Sequence, residues 1–296
     1  MTDPLDAVVV GAGQAGLGMA YVLKDAGLDF VVYERGRIGE TWRTQRWDSF
    51  TVNTPNWMNV LPADARDGAA PDGFYSRDQL VESFERYARR FELPIREERR
   101  VTSVAPIAGE AAFRVTVRSP DEREEHVRAR NVIVASGAMQ QPRRPAHAAR
   151  VPDDVVQLHA SEYRNPGELP SGAVVVVGSG QSGCQITEDL VAHGRKVHLC
   201  TSRVGRVPRR HRGRDILEWW ADMGFLVVRV EDVEDEAILR AAQPQVSGVG
   251  RYGHTVSLQQ LARDGVTLHG RLTDVRDRAL VVAPDLADNM RYADER

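Results

Sequence analysis

Residues 8–16 read Val-Val-Val-Gly-Ala-Gly-Gln-Ala-Gly, and residues 175–183 read Val-Val-Val-Gly-Ser-Gly-Gln-Ser-Gly. A single offset of 167 residues carries Gly11 onto Gly178, Gly13 onto Gly180, Gln14 onto Gln181, Ala15 onto Ser182 and Gly16 onto Gly183. One such glycine pattern is weak evidence. Two copies, each behind a valine-rich run and ahead of a helix-compatible stretch, predict two strand–turn–helix units that hold dinucleotides. The apolar runs Ala7–Val10 and Ala173–Val177 read as buried parallel strands. The first glycine of each copy permits the tight turn, the second lets the backbone approach a pyrophosphate, and the third lets helix and strand pack closely. The helix that follows presents unpaired N–H groups and a partial positive charge to the phosphates.

The end of the next strand decides which nucleotide each copy takes. Asp29–Tyr33 reads as the second strand of the first copy, and Glu34 stands at its end. An acid there accepts hydrogen bonds from a ribose and repels a 2′-phosphate, so this copy predicts FAD or NAD. The same offset places Thr201 where Glu34 stands, within Cys200-Thr201-Ser202-Arg203. Two hydroxyls and a guanidinium suit a ribose 2′-phosphate, so the second copy predicts NADPH.

Composition excludes several other classes. The chain has 296 residues, a net charge of -3, 42% hydrophobic residues and two cysteines, Cys184 and Cys200. That is enough apolar material for two domains, with neither a basic nucleic-acid coat nor a disulfide framework. No C-x-x-C is present, which disfavours a dithiol reductase. The histidines are too scattered for a metal site, and none is expected. The start, Met1 to Asp6, lacks a positive n-region, and no apolar run nears the ~18–20 residues of a membrane span, so a cytoplasmic protein without membrane contact is expected.

The rest of the chain alternates short elements with irregular stretches. Residues 36–75 form a long irregular segment with Trp42, Trp47 and Trp57. Ser76 and Gln79 form a capping-box pattern ahead of a helix whose apolar face is Leu80, Phe84, Tyr87 and Phe91. Val101–Val104 and Phe113–Val117 alternate as strands, a charged hairpin turn lies between Ser119 and Glu125, and Val132–Ala135 reads as a short buried strand. Gln140–Ala149 and Asn165–Gly172 read as linkers. A helix is expected from about Gln185 to His193, and strands at Val197–Cys200, Val266–Leu268 and Ala279–Val282. Asp215–Met223 reads as helical, with Trp219 and Trp220 as core or interface residues, and Leu286–Tyr292 as amphipathic. Arg203, Arg206, Arg209, Arg210, Arg212 and Arg214 cluster beyond the second copy. Without interleaved aromatics they do not read as a nucleic-acid surface. Phosphate binding is expected of them, with Arg209 or Arg210 assisting Arg203.

These motifs together resemble the class B flavoprotein monooxygenases, the flavin-containing monooxygenases and their bacterial relatives. Gly39-Glu40-Thr41-Trp42-Arg43 is similar to that family's flavin-contacting Gly-Gly-Thr-Trp segment, with Glu40 for a glycine. Asn53-Thr54-Pro55 followed by Pro62 resembles its Thr-Asn-x-Pro segment, with Val52 for threonine and Asn56 for lysine. Val132–Gly137 is similar to its Ala-Thr-Gly motif, with Ser136 for threonine. His159-Ala-Ser-Glu-Tyr163 matches the latter half of the monooxygenase fingerprint, although the Phe-x-Gly half is missing and Tyr163 leans away from Baeyer–Villiger enzymes.

The resemblance implies an α/β fold with two Rossmann-like domains in a glutathione-reductase-like FAD/NAD(P) architecture: residues 1–166 for FAD and 167–296 for NADPH. Gly11, Gly13, Gln14, Ala15, Gly16, Glu34, Arg35, Thr41, Trp42, Asn53, Val101, Ser136, Gly137 and His159 would serve the cofactors with the first copy. Gly178, Gly180, Gln181, Ser182, Gly183, Thr201, Ser202 and Arg203 would hold NADPH. The activity implied is oxygenation of a small nucleophilic nitrogen or sulfur compound, or a carbonyl, by O2 through a flavin C4a-hydroperoxide. Asn53 is the candidate catalytic residue, a neutral amide that donates a hydrogen bond without giving up a proton. The family's chain returns to its FAD domain, yet no second Ala-Thr-Gly precedes Arg296. A short FAD domain with loosely held flavin, uncoupled turnover and self-association, as in a homodimer, is therefore expected. An NADPH-dependent flavin oxidase or dehydrogenase, and a non-catalytic nucleotide-binding fragment, remain as alternatives.

Overall fold

The computed structural model describes residues 3–64, 70–139, 141–236, 239, 245–250 and 253–295. Met1, Thr2, Gln140 and Arg296, which the sequence reading touched, lie outside them. The chain divides into two compact units: Met1–Gln45 with Asn59–Ala69 and Arg77–Pro142, and Arg46–Met58 with Ala70–Ser76 and Arg143–Arg296. The expected boundary at 166/167 differs from this division. Residues 143–166 and two pieces of the long irregular stretch cluster with the second unit. Those two pieces are tied to each other: the Val52 N–H donates to Tyr75 O at 2.9 Å, and Thr51 bridges Ser76.

The first unit is built on a six-stranded sheet. Its strands are β1 (Leu5–Val10), β2 (Phe30–Tyr33), β3 (Ile95–Arg96), β4 (Arg100–Pro106), β5 (Phe113–Arg118) and β6 (Glu124–Val134), in the order β3-β2-β1-β6-β5-β4. The β3-β2-β1-β6 part is parallel, and β5 and β4 continue it antiparallel. The run Val132–Ala135 is not a short strand of its own. It is the tail of the 11-residue β6, which pairs antiparallel with β5 up to Ala129 and parallel with β1 from Ala129 to Val134. One strand thus joins the nucleotide half-sheet to the hairpin half. Val115 and Val117 alternate inward from β5 and meet Val8, Val31 and Tyr33 in the core. Helix α1 (Gln14–Asp25) follows β1, and α2 (Glu40–Thr44) is a single short turn. The helix α3 (Arg77–Arg90) buries Leu80, Val81, Phe84, Tyr87 and Ala88 along one stripe, the spacing the sequence predicted.

The second unit repeats the same plan in smaller form. Strands β7 (Val174–Val177), β8 (Val197–Cys200) and β11 (Thr267–His269) make a parallel sheet ordered β11-β8-β7. Helix α4 (Gln181–Ala192) starts at Gln181, four residues before the sequence reading placed it. Gly180 is its N-cap in an extended conformation, so the helix opens directly behind the glycine loop. The two-residue strands β9 (Arg210–His211) and β10 (Arg214–Asp215) form a ribbon that leads into α5 (Ile216–Asp222), capped by the Asp215 side chain. Strands β12 (Leu272–Arg276) and β13 (Ala279–Val282) form a separate antiparallel hairpin, and the last helix spans Leu286–Glu295. Among the described residues no helix is long and apolar enough to cross a membrane.

Candidate dinucleotide sites

The two glycine loops agree contact by contact. The Gly11 N–H donates to Tyr33 O at 2.8 Å, and Gly178 N–H to Cys200 O at 2.9 Å. The Leu17 N–H donates to Gly13 O, and Cys184 N–H to Gly180 O, at 2.9 and 3.0 Å. Gly11 and Gly178 hold φ of +106° and +98°, a region closed to most side chains. A Cβ on Gly16 would run into Gly11 O, and one on Gly183 into Gly178 O. The middle glycines differ from all of these. Gly13 (φ -88°) and Gly180 (φ -70°) have ordinary backbone angles, and a Cβ on either would meet nothing within 4 Å. Neither strain nor packing inside the protein requires glycine there; both are helix N-caps, and the dinucleotide motif has its glycine at this position for close approach of the backbone to a pyrophosphate.

In the first unit several predicted residues gather at the carboxyl edge of the sheet. Gln14 and Ala15 are exposed in the first turn of α1. Glu34 is buried. Its Oε2 accepts from the Ala12 N–H of the loop at 2.8 Å and its Oε1 from the Gly36 N–H at 3.0 Å. Two further lone-pair directions of the carboxylate are left for ribose hydroxyls. The Gly39 N–H donates to Ala12 O at 3.1 Å, which ties the turn carrying Thr41 and Trp42 to the same loop. On the other side, Ala135 O lies 2.6 Å from where a Gly11 Cβ would be, and Ser136 and Gly137 follow it, exposed. Arg35 and Val101 line one open pocket of ≈ 610 Å³ with Arg37, Glu40 and Arg100.

In the second unit, Ser182 is exposed in the first turn of α4, and Gln181 uses its amide oxygen to accept from the Val246 N–H at 3.0 Å. Thr201 departs from expectation. It is 1% exposed, its hydroxyl donates to His269 O at 2.8 Å, and it accepts from the Asn289 amide at 3.1 Å. Both of its directions are internal, so it offers nothing to a 2′-phosphate. Ser202 is half-buried beside Ser179, and Arg203 is exposed. The arginine cluster departs as well, because half of it meets carboxylates of the same unit. Arg206 pairs with Asp294, Arg214 with Glu218 and Asp222, and Arg209 is buried against Asp215. His159 accepts at Nδ1 from the Ser161 N–H at 3.2 Å, a local turn contact. Tyr163 is buried and donates to Asp189 Oδ2 at 2.5 Å; burial, then that carboxylate, pushes its phenol well above the ordinary range.

Asn53 sits in a cluster that sequence reasoning missed. Its Oδ1 accepts from Gln185 Nε2 at 2.8 Å, and its main-chain carbonyl from Arg209 Nη1 at 2.7 Å. Arg209 Nε donates to Asp215 Oδ2 at 2.8 Å, and the guanidinium lies 4.4 Å from the Phe74 ring centroid. Arg209 Nη2 is buried without a partner among the described residues. Burial pulls the guanidinium below its ordinary value, against the opposing pull of Asp215. The available signal was the four-residue spacing of Gln185 and Asp189, polar residues on the buried face of α4.

Two units, each with parallel strands and a glycine loop at the end of the first, have the architecture of a protein with two dinucleotide sites. A family model for the pyridine nucleotide-disulphide oxidoreductases matches residues 8–220, and the chain belongs to that family. It is a flavin-dependent oxidoreductase, similar to the class B flavoprotein monooxygenases. An uncharacterised CzcO-like oxidoreductase of Geobacillus kaustophilus is 36% identical over 82% of this chain and 68% of its own length. The indole-3-pyruvate monooxygenase YUCCA1 of Oryza sativa is 29% identical over 83% of this chain and 60% of its own. The fold is shared with the flavin-containing monooxygenase from Stenotrophomonas maltophilia at a TM-score of 0.66 and 21% identity, over 95% of this chain and 74% of that one.

Proposed function

We propose that the protein is an FAD- and NADPH-dependent monooxygenase acting on a small nucleophilic nitrogen or sulfur compound, or a carbonyl. The observation that supports this best is the pair Gly13 and Gly180, where neither strain nor packing calls for glycine and where the motif needs the backbone to approach a pyrophosphate. The first loop, with Glu34 at its β2 end, takes FAD; the second, with Ser202 and Arg203, takes NADPH. Bound flavin would supply the redox chemistry, accepting hydride from the nicotinamide and activating dioxygen. The protein's part is to bind, orient and exclude water. The N–H groups at the starts of α1 and α4 would hold the pyrophosphates. Asn53 is the neutral donor for the oxygen being transferred. The disulphide chemistry in the family's description finds no support in the cysteines. Cys184 and Cys200 are both buried and free, and burial pushes the Cys184 thiol up to about 12. A thiol so protonated is a poor nucleophile.

The reading is tested by purifying the protein with FAD and following NADPH oxidation with a simple sulfide or amine. Oxygenated product in step with NADPH supports it; peroxide alone, whatever the substrate, supports the oxidase alternative. Two substitutions test the assignment of the loops. Glu34→Arg should lower the flavin-to-protein ratio, and an unchanged ratio removes Glu34 from the site. Arg203→Ala removes a charge-assisted bond to phosphate of ~1.5–3 kcal/mol, so NADPH should bind roughly tenfold to a hundredfold more weakly while NADH is little affected. Equal losses for both nucleotides mean that Arg203 does not read the 2′-phosphate.

A further inference from the structure

Asn53 can act as a donor only if its amide nitrogen, not its oxygen, faces the ligand. An asparagine amide is close to symmetric in shape, so some neighbour must choose its orientation. In this unit the choice is made from α4. Gln185, 4% exposed, donates from Nε2 to Asn53 Oδ1 at 2.8 Å. The Asn53 oxygen is thereby engaged, and its Nδ2 has no partner among the described residues. The backbone is held from a second direction by Arg209 Nη1 on the Asn53 carbonyl, and Arg209 is itself anchored on Asp215. We infer that Gln185 is the positioning residue of this site: by engaging Asn53 Oδ1 it turns the Asn53 amide nitrogen outward as the donor. This rests on the proposed role of Asn53, and the two can fail separately.

The decisive substitution is Gln185→Glu. An ionised carboxylate has the same reach but only accepts, so at alkaline pH, where the buried carboxyl is ionised, it would draw Asn53 Nδ2 inward and leave the oxygen outward. The measurements use the full chain. One is solvent exchange of the Asn53 side-chain amide protons, assigned by difference against Asn53→Ala, in flavin-free protein. The other is product formed and peroxide released per NADPH in the holoenzyme, with thioanisole as probe. The wild-type Asn53 amide protons are expected to exchange readily and to gain protection in Gln185→Glu. Sulfide oxygenation in that variant should fall as far as in Asn53→Ala, ~10²-fold, the usual effect of removing one oriented donor. The fall should come with more peroxide, unchanged flavin content and an unchanged rate of flavin reduction by NADPH. The double variant should be no worse than Asn53→Ala. Gln185→Leu, which neither donates nor accepts, should fall between the two.

Protection of the Asn53 amide already present in the wild type, or full oxygenation retained in Gln185→Glu beside a defective Asn53→Ala, overturns the assignment. If Asn53→Ala itself oxygenates normally, the role of Asn53 falls, and the exchange measurement still decides whether Gln185 sets the amide.

Discussion

Arg209→Ala should destabilise the second unit by about 3–5 kcal/mol, the usual result of removing one partner from a buried ion pair. Arg209 and Asp215 are each 1% exposed, so the substitution leaves a carboxylate stranded among apolar groups. The damage spreads beyond the pair. Asp215 also caps α5 through the Leu217 N–H at 2.9 Å, and Asn53 loses the donor on its carbonyl. Urea unfolding followed by tryptophan fluorescence reads the loss. The double variant Arg209→Met/Asp215→Asn should recover most of it, because no unpaired charge remains. A loss below about 1 kcal/mol for Arg209→Ala would mean that the pair is solvated in solution.

Gly16→Ala and Gly13→Ala should part company completely, although the two glycines are three residues apart. The added methyl of Gly16→Ala meets Gly11 O, a backbone atom that cannot turn aside, so α1 must move off β1. That places it among the severe substitutions, at about 4 kcal/mol or more, and little folded protein is expected. The methyl of Gly13→Ala meets only open space at a backbone angle alanine adopts freely. Gly13 is also the N-cap of α1, where alanine is disfavoured, so the flavin-free protein should lose no more than about 1 kcal/mol. Its affinity for FAD should still fall roughly tenfold or more, a cost of about 1.4 kcal/mol or above at the pyrophosphate. Circular dichroism and flavin titration on the same samples separate the two effects. Flavin bound normally by Gly13→Ala would remove the argument that the open cradle exists for a ligand. The pair Gly180→Ala and Gly183→Ala should repeat the pattern for NADPH.

What the sequence made legible was whatever a short stretch of chain dictates for itself. The paired glycine loops, the strands feeding them and the stripe of α3 each follow from residues within a dozen positions of one another. The start of α4 was misread because Ser182 and Gly183 look unhelical in isolation, while in the fold Gly183 packs on Gly178 O. Thr201 was misread for a different reason. Matching its position to Glu34 was sound, but the hydroxyl is taken up by His269 and Asn289, which lie 68 and 88 residues further on. The arginine cluster likewise looked like a phosphate surface until Asp294, Asp215 and Glu218 were seen opposite it. The clamp on Asn53 joins residues 132 and 156 positions away and has no local signature.

The idle space at Gly13 and Gly180 also speaks to the history of the chain. At positions 16 and 183 selection for folding alone would keep glycine, since anything larger collides with backbone. At 13 and 180 folding asks only for an N-cap, which other residues supply as well, so random substitution would erode both glycines in any lineage that had stopped using its nucleotides. Both are glycine in this chain. On the proposed function, they are the positions at which a lineage that had lost its nucleotides would first show it.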